Sequence, residues 1–200
     1  KIIEEYKWLT VENSNYKIVL NKYKGLTIKT LVIKKYGNVS LLGTLDHGFY
    51  DDISLGADYY SGHATIEKPS EHKVTDLGKV KPEIIESDHC IKITTDQKWG
   101  TYTFNQNINF KNDKITFEKT IETDSSEKAI IRPYSFTFNP KVWDRESLYV
   151  ATHNGGSTLE KFYLKGQNIL HGNIYSSLIS ARHGFGNTEG IFVVGDKNKE

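Results

Sequence analysis

Apolar and polar residues alternate with a period of two along most of this chain, the spacing that sends successive side chains to opposite faces of a β-strand. The pattern is clearest over 101–110, where Tyr102, Phe104, Ile108 and Phe110 share one parity and Thr101, Thr103, Asn105, Asn107 and Asn109 the other. Beyond the turn-forming Lys111-Asn112-Asp113, Ile115, Phe117 and Ile121 face one way and Thr116, Glu118, Thr120 and Glu122 the other. The two segments predict an antiparallel hairpin. Over 130–138 the alternation resumes through Tyr134, Phe136 and Phe138. Pro133 removes one ladder donor there, which places that strand at an edge or a bulge. Further strands are expected over 16–20, 26–33, 90–94, 162–164, 174–179 and 191–194.

Only the first eight residues carry a helical period, with Ile2, Ile3 and Tyr6 on one face. They are read as the tail of a linker helix. The expected organisation is a linker or short helix over 1–10 and a single β-sandwich domain over 11–200. Many short strands with polar outer faces predict an all-β fold, a two-sheet antiparallel β-sandwich. At 200 residues one substantial core closes without a second domain. No repeat of 20 to 50 residues is visible.

Charge narrows the partners. Lys+Arg 26 against Asp+Glu 25 leaves a formal +1. Such a balance lacks the one-signed field that nucleic acid or an anionic membrane needs, so neither is expected as a partner. The apolar runs fall well short of the roughly 20 residues of a membrane helix. Cys90 is the single cysteine, so an intrachain disulfide is impossible and the redox compartment stays open. With no methionine, and with an end soon after an apolar run, the chain reads as a segment of a longer polypeptide.

Two stretches break the alternation. The segment 41–65 carries Asp46, Asp51, Asp52, Asp58, His47 and His63 among glycines and aromatics, and is expected to be one long functional loop. The segment 152–162 offers His153, Asn154 and Glu160 beside Gly155-Gly156. A sugar needs a flat apolar surface for its C–H face and polar groups for its hydroxyls, which Asp58, Tyr59, Tyr60 and His63 offer within one stretch. Adjacent aromatics on a strand point to opposite faces, so at most one of Tyr59 and Tyr60 stacks on a given ligand. Trp143, with Asp144 and Arg145, offers a second such set.

Catalysis would draw on His63 or His153 with Glu160, an imidazole and a carboxylate suited to proton shuttling near neutral pH. The alternative for each histidine is a bond to a backbone carbonyl. The aspartates lack the alternating calcium-loop spacing, and no Cys/His spacing suits zinc, so no metal and no cofactor is expected. Gly184 and Gly186 lack the Lys-Ser or Lys-Thr of a phosphate loop and are read as a turn. No G-x-S-x-G elbow occurs.

Three places carry a family resemblance: Val11-Glu12-Asn13 through Asn21 with Gly25-Leu26-Thr27-Ile28-Lys29-Thr30-Leu31, the 41–63 segment, and Arg132-Pro133-Tyr134-Ser135-Phe136 leading to Asn139. On them the chain resembles the galactose-mutarotase-like supersandwich family, which also supplies accessory β domains of glycoside hydrolases. That resemblance implies an open, concave sheet face whose loops bind carbohydrate, and brings Arg132 into the expected ligand set. The family's histidine-aromatic-phenylalanine-asparagine signature is not met, because Arg132 and Pro133 precede Tyr134. The expected function is a carbohydrate-binding or bracing accessory domain, partnered by a neighbouring catalytic domain of the same polypeptide. Its rivals are an aldose epimerase using the His/Glu pair, and a structural or protein-interaction domain without ligand.

Overall fold

The computed structural model describes residues 1–44, 60–69, 71–139, 141–144, 146–165 and 187–199. They fold as an all-β chain, with two short 3₁₀ turns at Lys34–Tyr36 and Lys197–Lys199. The chain divides into two compact units, Lys1–Asn139 and Pro140–Glu200.

In the first unit, β1 (Ile2–Glu4), β2 (Trp8–Glu12), β3 (Tyr16–Asn21), β4 (Thr27–Ile33) and β5 (Ser40–Gly43) form a five-stranded antiparallel meander. The linker helix expected over 1–10 is therefore corrected. Ile2 pairs with Val11 and Glu4 with Leu9, so cross-strand bonding and burial of Leu9 override a three-residue helical stripe. The remaining strands of this unit are β6 (His63–Glu67), β7 (Val74–Thr75), β8 (Glu83–Glu86), β9 (Ile91–Trp99), β10 (Tyr102–Phe110), β11 (Ile115–Thr123) and β12 (Ile130–Ser135). They build a four-stranded sheet ordered β11-β10-β9-β8 and a three-stranded one ordered β12-β6-β7.

The predicted hairpin is present: β10 pairs with β11 from Tyr102 opposite Thr123 to Phe110 opposite Ile115. Pro133 lies within the register shift between Arg132 and Ser135 on edge strand β12, where a missing amide costs the ladder nothing. The loop expected over 41–65 is shorter at both ends, because Leu41 belongs to β5 and His63 opens β6. Its feet are tied together. Ser61 Oγ donates to Gly43 O at 2.6 Å, Thr137 N donates to Ser61 Oγ at 3.0 Å, and Thr44 Oγ1 donates to Ile28 O at 2.9 Å.

Leu9, Val11, Ile18, Leu20 and Ile28 of the five-stranded sheet share one buried cluster with Ile93, Ile108 and Phe110 of the four-stranded sheet. Each such side chain contributes about 1.5–3 kcal/mol by leaving water. A second cluster joins Ala64 and Ile66 of β6 to Tyr102 and Phe104 of β10.

Beside that second cluster sits a buried charge pair. Lys119 of β11 lies on the inner parity of its strand and donates to the Asp76 carboxylate and, at 2.8 Å, to Gly62 O. Its side chain is fully shielded and that of Asp76 nearly so. Asp76 Oδ1 accepts from Ala64 N at 2.8 Å, and the Tyr134 ring lies 4.6 Å from the ammonium. Burial pushes the Lys119 amine below its ordinary pKa, with the Asp76 charge opposing that shift. Gly25 adopts φ +63° in the β3–β4 turn, and a Cβ there would stand 2.0 Å from the main-chain Asp76 O, so the turn and that carbonyl disfavour any other residue.

In the second unit, β13 (Leu148–Thr152) is flanked by β14 (Glu160–Tyr163) and β15 (Phe192–Asp196). Asp196, 3 % exposed, closes this unit: Ser147 Oγ donates to it at 2.6 Å, Lys199 Nζ at 2.6 Å, Asn198 N at 3.0 Å and Asp144 N at 3.3 Å. Desolvation pushes its pKa upward, but these donors outweigh it and bring the carboxyl down to about 2.

With the folded pKa below the unfolded value of roughly 3.9, the stabilisation is present above that value and is lost as pH falls through the folded one. Asp196→Asn should therefore lower stability by roughly 2 kcal/mol at pH 6, and the gap to the unsubstituted chain should close toward pH 2. Urea unfolding followed at the amides of β13 and β15 checks this. A gap independent of pH would contradict it.

Candidate functional site

The β9–β10 hairpin turns through Gly100 and Thr101, with Trp99 directly opposite Tyr102. Gly100 takes φ +58°, the first-position geometry of tight hairpin turns that only glycine adopts without strain. Trp99 sits on the inner parity of β9, yet the strand runs out beyond the second apolar cluster, so its indole is 48 % exposed.

Around it lies a groove of about 560 Å³, formed by Lys68, Lys73, Thr75 and Leu77 on one side and by Trp99, Thr101 and Tyr102 on the other. The floor is rigid. Trp99 Nε1 donates to Gln97 Oε1 at 3.5 Å, Gly78 N donates to the same oxygen at 3.1 Å, and Gln97 Nε2 donates to Asp76 O at 2.8 Å. A polar track thus runs from the indole back to the backbone carbonyl of Asp76. Gly78 is the seat of the ring, since a Cβ there would come within 2.8 Å of Trp99 Cζ2.

The rim is charged and paired. Lys68 Nζ donates to Glu127 at 2.6 Å and lies 5.7 Å from the Tyr102 ring centre. The Glu127 partner raises the Lys68 pKa. Lys73 meets Glu67 at 2.8 Å, and Glu67 also meets Arg132 at 2.8 Å. Lys73 first and Arg132 second hold that carboxyl below its ordinary range. An exposed indole, a buried phenol and anchored ammonium, hydroxyl and carboxylate groups give one flat apolar surface ringed by hydrogen-bonding groups.

The residues expected from sequence fall in three places. Asp58 and Tyr59, with Asp46, His47, Asp51, Asp52, Arg145, Gly184 and Gly186, lie outside the described residues, as does the strand expected over 174–179. In the first unit, Tyr60 has Lys24 Nζ 5.4 Å from its ring centre, and the Tyr60 carbonyl accepts from His63 Nδ1. Arg132 pairs across β12–β6 with Thr65 and is engaged by Glu67. Tyr60, His63 and Arg132 are thus placed along one strand pair and its entrance, with Arg132 tied to the rim of the groove through Glu67.

In the second unit, Trp143 is half-buried in the turn before Asp144, and His153, Asn154 and Glu160 belong to the β13–β14 hairpin. His153 Nδ1 donates to Gly156 O at 3.3 Å, and Glu160 Oε1 stands 3.8 Å from where a Cβ on Gly156 would be. His153 and Glu160 are brought to one loop, whereas His63 belongs to the other unit. Both His63 and His153 spend Nδ1 on a backbone carbonyl, a structural use of the imidazole. Among the described residues no group of three or more Cys, His, Asp or Glu forms a metal site.

Sequence reading did not place Trp99, Tyr102, Gln97 or the Lys119–Asp76 pair at a site. One signal was present: Lys119 occupies the same parity as Ile115, Phe117 and Ile121, a charge on an apolar face. Exposure of Trp99 depends on where neighbouring strands stop, which local periodicity does not encode.

Gly78→Ala should lift the indole from its seat. The Trp99 indole N–H resonance would then shift and its amide-side protection fall, while a spectrum unchanged at that resonance would refute the seating. Compared with known proteins, the chain matches no family model, no curated protein and no solved structure.

Proposed function

We propose that this chain is a carbohydrate-binding accessory β domain of a carbohydrate-active enzyme such as a glycoside hydrolase. In this reading the five-stranded and four-stranded sheets are the two layers of a supersandwich of the galactose-mutarotase-like type, and a catalytic domain of the same polypeptide is its neighbour. The observation that carries it is the half-exposed Trp99, seated on Gly78 and walled by Tyr102, Lys68, Lys73 and Thr75.

Physical chemistry supports a sugar over other small ligands. A pyranose presents axial C–H groups to an aromatic face and equatorial hydroxyls to its rim, so an isolated indole with flanking donors and acceptors matches both parts. The paired state of the lysines limits the attraction of a bare anion, because Glu127, Glu71 and Glu67 already balance Lys68, Lys73 and Arg132. Neutral or weakly charged glycans are therefore the favoured class. Bracing of the neighbouring domain is the part of the role that remains if no glycan binds.

The test is titration of a broad panel of oligosaccharides into the full chain, read by calorimetry and by Trp99 indole resonances. The expected result is saturable binding that perturbs Trp99 and weakens at least tenfold in Trp99→Ala, the loss of roughly 1.4 kcal/mol or more. A flat response across the panel removes binding. Undiminished affinity in Trp99→Ala removes the groove as its seat.

A further inference from the structure

One row on the inner face of the four-stranded sheet is polar on all three strands it crosses. Thr95 on β9 is directly opposite Gln106 on β10, which is directly opposite Lys119 on β11. Rows of Gln97, Phe104 and Ile121 on one side and Ile93, Ile108 and Phe117 on the other bound it. Thr95 and Gln106 are 7 % and 5 % exposed, yet Thr95 Oγ1 and Gln106 Oε1 have no hydrogen-bond partner among the described residues. Two buried oxygens left in this way on neighbouring positions are costly, since each forfeits its solvation without replacement.

Lys119 stands in the same row, directly opposite Gln106. Its ammonium carries three N–H donors, of which Asp76 and Gly62 O take two. Directly opposed residues of antiparallel strands have Cβ atoms about 4.5–5.5 Å apart, so Thr95 and Lys119 each neighbour Gln106 while standing two strands, about 9–10 Å, from each other, a gap that the long lysine side chain and one water molecule span together. Its two O–H groups match the two acceptors, and its oxygen matches the remaining ammonium proton. Three hydrogen bonds is the usual number for a buried water.

We propose that Thr95, Gln106 and Lys119 form an internal hydration site, in which a water molecule donates to Thr95 Oγ1 and Gln106 Oε1 and accepts from Lys119 Nζ. The ligand class is water, held as a permanent part of the fold. The site extends the Lys119–Asp76 pair across three strands and is independent of any glycan in the Trp99 groove.

The experiment pairs a substitution with a direct observation on the full chain. Thr95→Val keeps the shape and deletes the hydroxyl. With the water in place it removes one of its partners, and the folding equilibrium constant in urea titration should fall about tenfold. A variant as stable as the parent, or more stable, would mean that Thr95 Oγ1 was an orphan and would overturn the proposal. The unsubstituted chain, by high-resolution crystallography, should show a solvent oxygen within hydrogen-bond distance of Thr95 Oγ1 and Gln106 Oε1. A dry row overturns the proposal whatever the variant does, including if it fails to fold.

Discussion

Two charges removed from water, Lys119 and Asp76, set the constraint around which the first unit is arranged. Desolvation of an ammonium and a carboxylate is expensive, and their attraction repays it only when the remaining donors and acceptors are satisfied. That condition dictates the local backbone. Ala64 N must point at Asp76 Oδ1 and Gly62 O must point at Lys119 Nζ, which holds β6 in place against β11. Gly25 must stay a glycine to let its turn approach Asp76 O. Gln97, bonded to the same carbonyl, carries the constraint outward to Trp99.

The groove is therefore an extension of the core rather than a surface accident. Trp99 is a residue of core parity whose strand outlasts its cover, so the indole is held like a core side chain and presented like a surface one. A rigid aromatic loses little freedom on meeting a ligand. The knot of Ser61, Gly43, Thr44 and Thr137 serves a parallel purpose, since it fixes both feet of the segment between β5 and β6.

Much of the fold was legible because burial on one face forces alternation, and the β10–β11 hairpin needs nothing more than its own parity and turn. The bulge at Pro133 follows equally from local chemistry. The opening residues misled because Ile2, Ile3 and Tyr6 fit a helical stripe too short to decide, and pairing with β2 decided instead. His63 read as a loop residue for want of a period, although Ala64 and Ile66 are core. Of the expected site, His153 and Glu160 were adjacent through a hairpin whose glycines announce it. The groove was not legible, because Lys68, Thr75 and Trp99 meet only through pairings between distant strands. Asp76 has the same difficulty, for nothing near it in sequence names Lys119.

The account stands on the coupling between these two charges. A double-mutant cycle with Lys119→Met and Asp76→Asn, measured by urea unfolding of the full chain, isolates that coupling from the rest of each side chain's packing. The pair as described predicts that either single change costs about 3–5 kcal/mol while the double change costs far less than their sum. Strictly additive costs would contradict it.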